Sequence, residues 1–166
     1  MSSEKTAAAA GTVGEVRFDP FAMLPFCGYN MADYFQHWLD IGDNADQSKL
    51  PKLFWVNWFR RDEDGSFMWP GFGDNSRVLK WIVERVDGGG DAVDTPIGKV
   101  PAPGAIDRTG IEDDVSDETM EKLLAVNPTS WQQEVDLIRA HYATFGDRLP
   151  ARLAAQLDAL EARLNN

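Results

Sequence analysis

Apolar and polar positions alternate with two different rhythms along this chain, and the change of rhythm marks its elements. Leu53 to Phe59 is an aromatic-rich apolar run of the length and β-propensity of a strand. The charged tip Arg60 to Gly65 then supplies a turn, with Asp64-Gly65 as its strongest local signal. Phe67 to Gly73 is closed to a regular helix by Pro70, Gly71 and Gly73. From there Val78, Leu79, Ile82, Val83 and Val86 recur at helical spacing. They predict a helix over 76–87, capped by Asp74, Asn75 or Ser76 and ended by Gly88 to Gly90.

The same rhythm predicts four more helices. One spans 28–41, with Asn30 as N-cap and Gly42 as its stop, and a short one spans 117–126, capped by Ser116. Another spans 130–145, opened by Thr129 or Ser130 with Gln132 or Gln133 closing a capping box, and ends before Gly146. The last spans 150–164, opened by Pro150 and carrying Leu153, Leu157, Leu160 and Leu164 on one side. The last two are expected to pack as an antiparallel pair. Short strands or irregular pieces are expected around Ile97 to Val100. The fold class is therefore α/β or α+β, with short central strands and surrounding helices.

Composition narrows the chemistry. At 166 residues and 43% hydrophobic content the chain has one domain's worth of core. A net charge of −11 disfavours nucleic acid and anionic membrane surfaces as partners. No apolar run approaches a membrane span, and the single cysteine, Cys27, suits a cytoplasmic location. Neither a GxxxxGK[ST] phosphate loop nor a GxGxxG fingerprint occurs. His37 and His141 are solitary on their helices, and no metal-ligand spacing appears. The acidic runs Asp62 to Asp64 and Glu112 to Asp114 read as solvated turns. Gly71-Phe72-Gly73 and Gly88 to Gly90 read as turns or helix caps.

The positive signal is aromatic. Four of the six tryptophans (Trp55, Trp58, Trp69 and Trp81) fall between Leu53 and Val86, where phenylalanines and glycines also crowd. Phe59, Phe67 and Phe72 flank one turn, and Asn75 follows at the loop–helix junction. Rings in that arrangement can hold a flat purine by stacking, worth roughly 1–3 kcal/mol per base. An amide and free N–H groups at a helix start can then read its edge. Composition alone favours the blander reading, a hydrophobic core of unusual tryptophan content.

The stretch FWVNWFRRDEDGSFMWPGFGDNSRVLKWI closely resembles the guanine-binding segment of GTP-dependent phosphoenolpyruvate carboxykinases. DPFAMLPFCGYNMADYFQHWL (Asp19 to Leu39) and DTPIGKVP (Asp94 to Pro101) resemble the same family in the same order. The resemblance covers nearly the whole chain but only the C-terminal part of a much longer enzyme. It implies conversion of oxaloacetate and GTP to phosphoenolpyruvate, GDP and carbon dioxide, feeding gluconeogenesis, with manganese or magnesium. It carries the guanine pocket onto Phe59, Phe67, Phe72 and Asn75. Residues 1–14 then correspond to part of the mobile active-site lid, and 15–166 to the C-terminal part of the nucleotide-binding domain. The resemblance places the metal ligands, phosphate loop, reactive cysteine and substrate arginines upstream of this sequence, and Cys27 is not that cysteine. No catalytic or metal-binding residue is therefore expected here. The chain begins within the lid, so no activity is expected of it alone, and a complementary N-terminal carboxykinase segment is the expected partner. The rival readings are a non-catalytic fragment, a guanine-nucleotide-binding module without chemistry, and an acidic interaction module whose aromatics are only core.

Overall fold

The computed structural model describes residues 2–4, 16–19 and 23–166. Helices dominate, joined by two small antiparallel sheets, which places the fold in the α/β or α+β class. The chain divides into two compact units, Met1–Leu50 with Thr129–Asn166, and Pro51–Pro128.

In the first unit β1 (Ser2–Glu4) pairs with β2 (Val16–Phe18) in the register Ser2 to Phe18. The sequence pattern gave no hint of this ladder. The rest of the stretch expected to be a lid lies outside the described residues. Asp19 is buried, and its carboxylate accepts the Leu24 N–H at 2.8 Å where a 3₁₀ turn begins at Leu24–Phe26. Helix α1 (Met31–Asn44) begins three residues later than the periodicity suggests. The Asn30 side chain accepts the Ala32 N–H at 2.8 Å, and that extended cap residue fixes the start. At the other end the helix runs through Gly42 instead of stopping there.

Helices α4 (Pro128–Ala143) and α5 (Ala151–Leu164) close this unit. Proline fits the first turn of a helix, so α4 starts at Pro128 and takes Thr129 and Ser130 into that turn in place of a cap. Val135, Leu157 and Leu164 form the buried seam, flanked by Trp131, Ile138, Tyr142 and Leu160. Contacts from Gln132 to Glu161 and from Arg139 to Asp158 and Glu161 show the expected antiparallel pairing. Helix α1 joins them through the edge-on ring pair Phe35–Phe145 and the ion pairs Arg148–Asp33 and Arg152–Asp43.

The second unit is built on a different core: Trp69, Trp81, Ile106 and Val115, with Phe54, Trp58, Val78 and Ile82 packed around them. Helix α2 (Asn75–Val86) supplies Trp81, whose indole N–H donates to the Asp91 carbonyl at 3.0 Å. The glycine run ends α2 as expected, and the geometry gives the reason. Gly88 takes a left-handed backbone (φ 93°), which lets the Gly89 N–H return to the Glu84 carbonyl at 2.8 Å. A Cβ on Gly90 would lie 3.0 Å from the Arg85 nitrogen. The strands β3 (Ala92–Thr95) and β4 (Gly98–Pro101) form a hairpin in the region expected to hold short strands. Helix α3 (Asp117–Leu124) is capped by Ser116, whose hydroxyl accepts the Thr119 N–H.

One element departs from the sequence pattern. Residues 53–59 belong to no sheet, and among the described residues no strand lies beside them. Their burial nevertheless alternates residue by residue from Leu53 to Arg60. A strand is completed by its partner, and here the pattern exists without the ladder. The turn that follows forms as expected: Arg61 and Phe67 make an isolated bridge, and Gly65 (φ 85°) closes on the Asp62 carbonyl at 2.9 Å.

Candidate functional site

The bridge Arg61–Phe67 brings the two sides of the turn together, and two of the candidate rings meet there. Phe59 and Phe67 lie 6.2 Å apart, inclined at 61°. The Arg61 guanidinium sits 4.0 Å above the Phe67 ring and donates to the Gly65 carbonyl, which steadies both ring and turn. Phe59 is 72% and Phe67 51% exposed, so neither is a core residue.

Phe72 stands apart from them. Its ring is 99% exposed, and its backbone is left-handed (φ 41°), a conformation that costs an L-residue about 1–2 kcal/mol. Gly71 before it is also at positive φ (79°), and the 3₁₀ turn Phe72–Asp74 runs straight into α2. A bulky aromatic held in a strained conformation with nothing to pack on has no folding rationale. Such outliers cluster where a ligand is bound. All three phenylalanines are thus exposed, Phe59 and Phe67 as a pair and Phe72 by itself. A depression of about 270 Å³ lies in the α4–α5 unit, lined by residues such as Tyr142 and Leu157, and contains none of them.

Asn75 is the first residue of α2 and is half-buried. Its Oδ1 accepts the indole N–H of Trp69 at 3.0 Å. That bond fixes the orientation of the amide: the oxygen faces the core indole, and the NH₂ donors are left for another partner. Trp69 escapes sequence reading as a positioning residue, because a tryptophan in an apolar stretch reads as packing. The one available signal is that a buried indole N–H needs an acceptor. Arg77 on the same helix donates to Asp74 Oδ1 and to the carbonyls of Asp107 and Thr109, each at 3.0 Å, and binds the 107–109 loop to the start of α2. Asp74 is therefore occupied by Arg77 and does not cap the helix with its side chain.

The acidic residues of the turn serve the turn. Asp64 accepts from the backbone and hydroxyl of Ser66, which holds its carboxyl below the ordinary value. Asp62 accepts the Glu63 N–H. Among the described residues no group of three or more His, Cys, Asp or Glu is gathered to hold a metal ion. Among the described residues, then, no such cluster offers a fit to the divalent cation that the resemblance implies. No described helix is long and apolar enough to cross a membrane.

Comparison with known proteins bears on what this surface belongs to. The family model described as "Phosphoenolpyruvate carboxykinase C-terminal P-loop domain" matches residues 1–163. The chain belongs to the GTP-dependent phosphoenolpyruvate carboxykinase family. It is 57% identical over 165 residues to the "Phosphoenolpyruvate carboxykinase [GTP]" of Neocallimastix frontalis, with 99% of this chain and 27% of that relative covered. Identity is 52% to the proteins of the same name from Renibacterium salmoninarum, over 164 residues, and Treponema pallidum, over 167 residues, again with 99% of this chain and 27% of each relative covered. The chain thus spans about a quarter of the length of the carboxykinases it matches, and corresponds to their C-terminal portion.

Proposed function

We propose that Phe59, Phe67, Phe72 and Asn75 form the guanine site of a GTP-dependent carboxykinase. Phe72 carries this reading: the fold gains nothing from an exposed ring on a strained backbone, whereas a stacked base would use it. The Phe59–Phe67 pair offers a second aromatic surface. Asn75 supplies the discrimination. With Oδ1 engaged by Trp69, the amide presents NH₂ donors, which suit the 6-oxo acceptor of guanine and oppose the 6-amino donor of adenine. An unmatched polar edge costs about 1–3 kcal/mol, which amounts to roughly 5- to 150-fold in affinity.

The activity of the whole enzyme extends this proposal: conversion of oxaloacetate and GTP to phosphoenolpyruvate, GDP and carbon dioxide, in gluconeogenesis and in the cytoplasm. In it this chain recognises the base. Phosphoryl transfer and the manganese or magnesium ion are left to residues outside it. Residues 1–14 would be part of the lid, and 15–166 part of the nucleotide-binding domain.

The test is a tryptophan-fluorescence titration of the chain with GDP, with ADP as control, since Trp55, Trp58, Trp69 and Trp81 all lie in the unit that holds the site. A saturable response to GDP and none to ADP is expected. Equal responses to both nucleotides would refute the reading of Asn75, and silence at millimolar GDP would refute a preformed site in this chain.

A further inference from the structure

Two adjacent arginines open the turn beside the candidate rings, and they have different tasks. Successive side chains of an extended segment point to opposite sides. Arg60 is half-buried and donates to the Leu123 carbonyl at 3.1 Å, which ties the turn to the end of α3. Arg61 is exposed, and its guanidinium covers one face of the Phe67 ring at 4.0 Å from the centroid. The carboxylates that follow, Asp62, Glu63 and Asp64, would be natural partners for this cation. Among the described residues none of them pairs with it. Asp64 is engaged by Ser66 and Asp62 by the Glu63 N–H, while the guanidinium donates to the Gly65 carbonyl. A cation set in an acidic turn is thus directed onto an aromatic face.

Phe67 needs such a neighbour. Its ring is half-exposed and belongs to no buried cluster, so the core does not fix its plane. The inclined Phe59 ring, 6.2 Å away, touches it from one direction only. A ring so placed samples several rotamers, and a ligand that packs on it must first order it. We propose that Arg61 is a positioning residue of the base site: lying on Phe67, it sets the plane of that ring before a purine arrives and leaves the opposite face and the edge to the ligand. The inference rests on the guanine reading and deepens it. The charge of Arg61 serves the base, through the ring, and not the phosphates.

Fluorescence titration of the 166-residue chain with two probes, GDP and guanosine, tests this. Arg61→Met keeps the length of the side chain and removes the cation. It should weaken both probes equally, by roughly two- to tenfold, the cost of ordering one side chain. Arg61→Lys keeps a cation able to lie over the ring and should recover part of the loss. In a Phe67→Leu background Arg61→Met should have no further effect on either probe, because the arginine acts through the ring. An equal loss with and without Phe67 would mean that the turn is merely loosened, and would overturn the proposal. So would weakening confined to GDP, which would make Arg61 a phosphate contact, and so would unchanged affinities in Arg61→Met. Silence of the unaltered chain towards both probes would refute the guanine reading, and this inference would fall with it.

Discussion

The hydrogen bond from Trp69 to Asn75 joins the core of one unit to its candidate site, so a double-mutant cycle on this pair tests both. Trp69 is only 6% exposed, and no water replaces its partner cheaply. Trp69→Phe removes the N–H and leaves a smaller ring among Trp81, Ile106 and Val115. The bond contributes about 1 kcal/mol, and the void left by the smaller ring about another 1 kcal/mol. Asn75→Ala leaves the indole N–H without an acceptor, at about 1–3 kcal/mol. Because both changes remove the same bond, the double mutant should be less destabilised than the sum by about 1 kcal/mol, measured by urea unfolding. Nucleotide titration supplies the second readout. Releasing the Asn75 amide makes the site order it on binding, at about 0.5–1.5 kcal/mol, so Trp69→Phe should weaken GDP roughly two- to tenfold. Strict additivity in stability, together with unchanged GDP affinity, would refute the claim that the indole orients the amide.

Other expectations follow from the same geometry. Phe72→Ala should change stability by less than about 0.5 kcal/mol and yet weaken GDP by about 1–3 kcal/mol; unfolding and fluorescence titration read the two effects separately. Arg77→Ala removes three hydrogen bonds from a half-buried side chain and should cost about 1–3 kcal/mol in thermal unfolding, with Lys restoring only a minor part because it lacks the fork. His141 packs against Phe18 and Phe145, and desolvation lowers its pKa below the ordinary 6.5. The unfolded chain therefore binds the proton first, so stability is complete above about pH 6.5 and falls as the pH drops from there to the folded pKa. His141→Phe should flatten that dependence in pH-resolved thermal melts. Ser66→Ala should return the Asp64 carboxyl toward its ordinary pKa, followed by NMR titration.

What the sequence discloses depends on how local the determining interaction is. Helix positions are legible because caps and stops act within a few residues, as Asn30, Ser116 and Gly88 do. The errors at α1 and α4 come from Gly42 and Pro128, whose roles depend on register within the helix. Residues 53–59 read as a strand because their aromatic-rich apolar composition is local. They form none because a strand is completed by a neighbouring strand, and among the described residues none lies beside them. The β1–β2 ladder joins strands of only three residues each, too short to announce themselves. For the candidate site, composition pointed to core, and that holds for Trp69 and Trp81 but not for Phe59, Phe67 and Phe72, which face solvent. Only the family motif distinguished the two sets, since exposure is a property of the folded chain.

The strained backbone at Phe72 also has an evolutionary consequence. A residue that costs stability and packs against nothing is maintained only while something outside the fold rewards it. Were the chain to drift free of nucleotide use, glycine or a polar residue at this position would be neutral or beneficial, whereas Trp81 or Val115 would still be held in place by the core. Among diverging copies of this chain, Phe72 should be lost early and the tryptophan core late. The identity of that one residue would then separate copies still under selection for their ligand from copies retained only as folded protein.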